Sequence, residues 1–386
     1  MTDNKKFELS TFVSYTEVIP NIVEDTNSHL DLSKNPRDVK EYLDKFIIGQ
    51  HEAKKVLSIA ACHRGVRLMT KHATGKSCIE KSNILLLGPT GCGKTLLIKT
   101  LAAAVGAVCI VEDATTFTAT GYVGREITDI FEHLLSTCIS RHPALPNESL
   151  KEWGTRIKLI AESSVIYIDE IDKISQPAGR HTNKFSVEIQ EELLKIIEGT
   201  LVQLQPTRDK RLSSAERLQI DEIDTTDMLF IAGGSFHGLE EIIQKRTASS
   251  TIGFGGKVHS VEVDKDILCE ANNDDLIKFG VIPEFLGRFH THVGLKSLTE
   301  SDLVDILTLS EGNQVDQYTH LFHYYNRAIV FTPKALLKIA SIAIKSKAGA
   351  RGLKRIMERS LRDFMFEVPD EGFGPPIEIE EEHIRE

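Results

Sequence analysis

Apolar residues recur every three or four positions through RDVKEYLDKF and again through HEAKKVLSIAACHRGVRL, on either side of a short break at Ile47-Ile48-Gly49-Gln50. That spacing gathers the apolar side chains on one helix face and predicts two helices joined by a turn. From Asn83 the pattern changes to compact apolar runs, NILLLG, AVCIV, SVIYID and MLFIAGG, separated by amphipathic stretches such as KTLLIKTLAAAVG. Short continuous runs suit strands buried on both faces, and their alternation with helices predicts an α/β domain, a parallel sheet covered by helices. Past Leu295 helical spacing returns. Thr299 precedes Asp302 by three residues in a capping-box pattern, and the stretch from Pro333 to Val368 repeats apolar positions at helical intervals, which predicts a small, mostly helical domain. The tail PPIEIEEEHIRE alternates enough for one strand. Residues 1–36 are polar and without period. The expected division is therefore an N-terminal extension at 1–36, a large α/β domain at 37–295 and a small helical domain at 296–386.

Composition narrows the function classes. The 386 residues are 41% hydrophobic and 26% charged, near the globular average, and the length suits more than one domain. A net charge of -10 excludes a sequence-independent nucleic-acid binder, whose affinity comes from Lys and Arg on phosphates. No run reaches the length of a membrane span and no apolar leader opens the chain, so the expected place is the cytoplasm. The six cysteines, at 62, 78, 92, 109, 138 and 269, form no zinc spacing. Separate reduced thiols, without zinc, are expected.

The sharpest chemical signal is GPTGCGKT: Gly88, Pro89, Thr90, Gly91, Cys92, Gly93, Lys94 and Thr95, set between an expected strand and an expected helix. Glycines let such a loop turn its N–H groups onto phosphate oxygens, the lysine reaches the β and γ phosphates, and the threonine hydroxyl serves Mg²⁺. ATP and Mg²⁺ are the expected cofactors. SVIYIDEIDKI ends a buried-type strand in Asp169 and Glu170, which suits Asp169 to the metal and Glu170 to the attacking water. Asp172 and Lys173 read as surface or helix-start residues. Cys92, beside a helix N-terminus, reads either as a thiolate-prone, oxidisable group or as a small side chain that fits. Farther on, TATGYVGREI sets Tyr122 and Val123 between glycines, free to be held out from the body of the protein.

The succession GPTGCGKT, DATTFTATGYVG, IYIDEIDKI, LLKIIEGT, IGFG, FGVIPEFLGR and GARGL resembles the ClpX family of AAA+ unfoldases from about residue 37 onward. The resemblance implies a P-loop ATPase large domain with a helical lid, assembled as a homo-hexamer that threads protein substrates through a central pore to a ClpP-type peptidase. It implies that Ile47, Ile48, Gly49 and Gln50 form the adenine-contacting turn. Arg288 in PEFLGR becomes the arginine finger for the neighbouring subunit, and Arg351 in GARGL the sensor arginine. Tyr122 and Val123 become the pore grip, and Ile252, Gly253 and Phe254 the peptidase-docking tripeptide.

Four features depart from the family. No cysteine precedes Cys62, so the family's N-terminal zinc domain is not matched. The residues before Gln190 are unlike the second pore loop, and Arg208 to Arg211 read RDKR at the pore entrance. SRHPALPNESLKEWG reads as an inserted surface loop. Ser235 stands at the sensor position after MLFIAGG. Two other functions stay open: a chaperone that remodels complexes without a peptidase, and a nucleotide-gated scaffold with weak hydrolysis.

Overall fold

The computed structural model describes residues 34–75, 79–117, 125–175, 184–204, 213–250, 266–371 and 374–385. The first helix, α1 (Pro36–Phe46), starts where Asn35 accepts hydrogen bonds from the N–H groups of Arg37 and Asp38 while Asp38 reciprocates, a complete capping box. It leads through the Ile47–Gln50 turn into α2 (His51–Thr74). Then follow β1 (Ile84–Leu87), α3 (Lys94–Ala104), β2 (Cys109–Asp113), α4 (Asp129–Arg141), α5 (Leu150–Glu162), β3 (Val165–Asp169) and α6 (Lys184–Glu198). The hairpin β4 (Leu201–Gln203) and β5 (Glu222–Asp224) brackets α7 (Ser214–Leu218). Next come β6 (Leu229–Gly234), α8 (Leu239–Ser250), α9 (Asn273–Phe279), α10 (Pro283–Leu286) and β7 (Thr291–Gly294).

Five strands form one parallel sheet in the order β2-β3-β6-β1-β7. Its strands divide their side chains by the two-residue period of a pleat. Leu85, Leu87, Ile166 and Ile168 enter one apolar cluster, whereas Ile84, Leu86, Val165 and Tyr167 enter the cluster on the other face. Burial on both faces is why these runs are continuously apolar, as the sequence pattern anticipates.

The C-terminal domain is α11 (Glu300–Thr308), α12 (Gln314–Tyr324), β8 (Ile329–Phe331), α13 (Pro333–Lys345), α14 (Ala350–Glu371) and β9 (Ile377–Ile379), around a third apolar cluster. Thr299 and Asp302 form the expected capping box, and the tail strand pairs parallel with β8.

Several expectations need correction. β7, whose THVG is polar at two of four positions, was not expected as a strand; nor were β4, β5 and β8, each three residues long. The helical spacing across SIAIKSKAGARG runs through a real break, because Lys347 (φ +53) and Gly349 (φ +56) are left-handed. The expected surface loop at SRHPALPNESLKEWG is only partly a loop. Ser149 caps α5 from Leu150 onward, and Arg156, 6% exposed, grips Glu148 through two nitrogens (both 2.7 Å) and the Pro143 carbonyl (3.0 Å). Trp153 adds a hydrogen bond to the His142 carbonyl. Among the described residues, no helix is long and apolar enough to cross a membrane.

Candidate nucleotide site

The C-terminal ends of the three central strands, β3, β6 and β1, lie side by side, and each is followed by a candidate functional segment. This is the edge at which parallel α/β sheets bind ligands. Gly88 leaves β1 with its N–H donated to the Gly234 carbonyl at the end of β6. Gly91 (φ +81) and Gly93 (φ +95) then turn the loop through left-handed backbone into α3, whose first residue is Lys94.

Lys94 is 9% exposed, and its Nζ donates to the Gly88 and Pro89 carbonyls (2.6 and 3.1 Å). A buried ammonium served by carbonyls and, among the described residues, by no carboxylate suits an anionic ligand, because a buried charge is costly until paired. Thr95 Oγ1 donates to Asp169 Oδ2 (3.0 Å), while Asp169 Oδ1 accepts from Tyr167 Oη (3.1 Å) and the Glu170 N–H (2.9 Å). Two adjacent ligands of an octahedral Mg²⁺, each about 2.1 Å from the ion, stand about 3 Å apart. The Thr95–Asp169 pair therefore fits that metal. Glu170 is exposed and left-handed (φ +57), which turns its carboxylate out of the strand line beside Asp169.

Two residues missed by sequence reasoning hold this corner together. Tyr167 is fully buried in β3, and Gly233 makes room for it: a Cβ there would collide with the phenol ring. Burial raises the Tyr167 pKa, so it stays a hydrogen-bond donor to Asp169. Asp172, expected at the surface or at a helix start, does lie in the first turn of a short 3-10 helix (Ile171–Ile174) but is only 6% exposed, and its carboxylate accepts from the Ser235 N–H and hydroxyl (3.1 Å each). Gly234 leaves space for that carboxylate. The signal was present in the Gly-Gly pair ending MLFIAGG, where a strand has given up side chains to its neighbours. Ser235 is thus tied to the turn that follows Glu170.

Cys92 is 4% exposed in the cluster containing Ile47, Leu97 and Leu295. Burial pushes its thiol pKa up despite Lys94 nearby, so the thiolate-prone reading gives way to a small side chain that packs. The same burial moves Cys62 and Cys109 to about 11 and Cys138 to about 12.

The C-terminal domain closes the other side of the loop. Ala350 N donates to the Gly91 carbonyl (3.2 Å), and a Cβ on Gly91 would stand 2.5 Å from the Ala348 carbonyl oxygen. Arg351, one residue on, lies close enough for its charge to oppose in part the burial that raises the pKa of Cys92 and Tyr167. Ile47 is buried and Ile48 partly so, at the foot of α1. Arg288 stands elsewhere: its guanidinium pairs with Glu198 (Nε–Oε1 2.8 Å) and is half exposed, with no described partner in the 88–95 loop.

Beside the site, Glu112 of β2 is 2% exposed and is held by two nitrogens of Arg125 and by His133 Nδ1 (2.6 Å). Phe117 and Arg125 form a parallel bridge, so this cluster brackets residues 118–124. Tyr122 and Val123 lie outside the described residues, as do Ile252, Gly253, Phe254, Arg208 to Arg211 and residues 1–33. Gln190 is 1% exposed and braces the Ile174 carbonyl against the Ile282 N–H. Among the described residues no cluster of three or more His, Cys, Asp or Glu has metal-binding geometry.

Comparison with known proteins agrees with this architecture. Residues 79–292 match the AAA domain (Cdc48 subfamily) model, and residues 298–373 match the C-terminal, D2-small domain of ClpB protein. The chain is 40% identical over 339 residues to the ATP-dependent Clp protease ATP-binding subunit ClpX of Treponema denticola, covering 86% of this chain and 77% of that one. It is 42% identical to the proteins of the same description from Borrelia duttonii and Borrelia recurrentis, covering 86% of this chain and 74% of each. A nucleotide-binding edge, a helical domain seated on its phosphate loop and this degree of identity together establish that the chain belongs to the ClpX family of AAA+ ATPases.

Proposed function

We propose that this ATPase is a protein unfoldase that works as a homo-hexameric ring, draws substrate polypeptides through a central pore and passes them to a ClpP-type peptidase. The observation that carries the reading is the corner formed by Thr95, Asp169 and Glu170, with the Ala350–Arg351 turn of the C-terminal domain seated on the phosphate loop. That arrangement supports a nucleotide whose hydrolysis is felt directly by a second domain.

In this reading the loop Gly88–Thr95 cradles the phosphates of ATP and Lys94 offsets their charge. Thr95 and Asp169 would hold Mg²⁺, which would supply neutralisation of charge on the transferring phosphoryl group. Glu170 accepts the proton of the attacking water, and Tyr167 orients Asp169. Ile47 and Ile48 contact the base. Arg351 senses the phosphates from the C-terminal domain, and Arg288 serves the site of the neighbouring subunit. Tyr122 and Val123 grip the polypeptide in the pore, and Ile252, Gly253 and Phe254 dock the peptidase. The division at 295/296 separates the two moving bodies.

The experiment is a trap. Glu170→Gln keeps ATP binding and loses turnover by about 10² to 10⁴, the usual contribution of a positioned base. The stalled ring, recovered from cell extract, retains varied substrates together with a ClpP-type peptidase. Recovery of one or two defined complexes and no peptidase would assign the chain to remodelling instead. A wild type already as slow as the variant would make it a scaffold.

A further inference from the structure

Gln50 is set apart from the turn that contains it. It is left-handed (φ +54) without being glycine, and only 7% exposed. Its side-chain amide is spent on a single residue: Nε2 donates to the Lys296 carbonyl (2.8 Å), and the Lys296 N–H donates to Oε1 (3.0 Å). This is the two-bond exchange by which paired strands hold one another, made here by a side chain.

The residue it grips has a special place. Leu295, just before it and just after β7, makes the last hydrogen bond to the sheet: its N–H donates to the Leu87 carbonyl (2.6 Å), and its Cβ would stand 2.8 Å from a Cβ on Gly88. Three residues after Lys296, Thr299 caps α11. Lys296 is therefore the first residue of the connection between the sheet and the C-terminal helices. The turn is held as firmly from its other end. Lys54, 1% exposed, donates to the Ile47 carbonyl (2.5 Å) and to Asp44 (2.7 Å). Two more hydrogen bonds join the same parts, Glu311 N to the Lys45 carbonyl (2.7 Å) and Ala350 N to the Gly91 carbonyl.

We propose that Gln50 is a positioning residue that transmits the state of the nucleotide site to the C-terminal domain by gripping Lys296. The inference rests on reading Ile47 and Ile48 as the base-contacting turn. A shift of that turn as the base seats moves the Gln50 backbone, and the two amide bonds carry the movement to the point where the C-terminal domain departs. The Gly91–Ala350 contact acts at the phosphate end, and Gln50 and the Lys45–Glu311 contact at the base end, so the domain is held at three points, of which Gln50 alone grips the connection itself.

The test uses the full chain with spin labels at two exposed positions, Leu159 in α5 and Leu309 after α11 (52% and 70% exposed), attached by a non-cysteine chemistry. Labelled protomers are diluted into unlabelled ones, and the label–label distance is measured with ADP and with a non-hydrolysable ATP analogue. In the wild type the distance differs between the two nucleotides. Although Gln50 lies in the turn expected to contact adenine, its amide is taken up by Lys296; in Gln50→Ala, nucleotide affinity and KM therefore stay within about threefold, the distance no longer follows the nucleotide, and kcat falls about tenfold. Gln50→Glu keeps the acceptor for the Lys296 N–H but cannot donate to its carbonyl, and falls between the two.

Three results would overturn the proposal: a distance that still follows the nucleotide in Gln50→Ala, a wild-type distance that never does, or a loss of affinity beyond tenfold, which would make Gln50 a nucleotide ligand. A fall in melting temperature with the distance response intact belongs to the first. The underlying reading fails separately, if Ile48→Ala leaves adenine-nucleotide affinity unchanged.

Discussion

Lys81 lies with its ammonium 4.6 Å from the centre of the Phe230 ring and donates to the Thr225 carbonyl. Burial, aided by Arg67, lowers its pKa from 10.5 to about 7 against the opposing pull of Asp227 and Asp224. The folded-state pKa is the lower one, so between about 7 and 10.5 the unfolded chain binds more protons and stability rises with pH; below 7 the cost of the buried charge is present in full. Melting curves of wild type and Lys81→Met from pH 6 to pH 9 should show the wild type gaining on the variant above pH 7. A constant difference would mean that the side chain titrates normally. Residues of the phosphate loop and the Asp169–Glu170 pair were legible in the sequence because their chemistry demands fixed types at fixed spacing. Asp172 was not, because its partner Ser235 is 63 residues away and only the sheet order brings the two together. Asp172→Ala should lose about 1 to 3 kcal/mol in denaturant titration by leaving the Ser235 N–H unpaired.

Elements were legible wherever burial imposed a period. Three of the four runs expected as strands are the buried inner strands β1, β3 and β6; the fourth, β2, is an edge strand buried at alternate positions, and β7 at the other edge, with one buried residue of four, carries no such imprint. The three-residue strands β4, β5 and β8 are too short to show any period, and the bend between α13 and α14 is a backbone event at Lys347 and Gly349 that apolar spacing does not report. The segment before α5 looked like a loop because its prolines are visible, while the residue that organises it, Arg156, lies on the following helix. Arg156→Ala strands the Glu148 carboxylate, itself 10% exposed, away from its partner. Breaking a buried pair from one side costs about 3 to 5 kcal/mol. Chemical denaturation should show a loss of that order, with faster proteolysis between His142 and Ser149; a loss below about 1 kcal/mol would make the pair a surface one.

At the scale of the whole molecule, the proposed function makes hydrolysis depend on assembly. The site brings together Lys94, the Thr95–Asp169 pair proposed for the metal and the proposed base Glu170, but among the described residues Arg288 pairs with Glu198 and not with the loop of its own chain. Both side chains of that pair are substantially exposed (50% and 40%), so its release is cheap, about 1 kcal/mol or less. Arg288→Ala should bind ATP normally and hydrolyse it about 10³-fold more slowly or worse. Mixing Arg288→Ala chains, which keep Glu170, with Glu170→Gln chains, which keep Arg288, should restore part of the rate, because one chain supplies the base and its neighbour the arginine. No recovery on mixing would place Arg288 outside the neighbour's site. Tyr122–Val123 and Ile252–Phe254, proposed as pore and docking segments, rest on resemblance alone, since a few residues between glycines leave no apolar period in the sequence to infer a role from.

The central claim, that hydrolysis pulls on a polypeptide, is tested most directly by Tyr122→Ala, measured for ATP hydrolysis and for unfolding of a substrate recovered from the Glu170→Gln trap. Hydrolysis should stay within about threefold of wild type while unfolding falls at least tenfold. Equal loss of both, or unfolding at the wild-type rate, would contradict it.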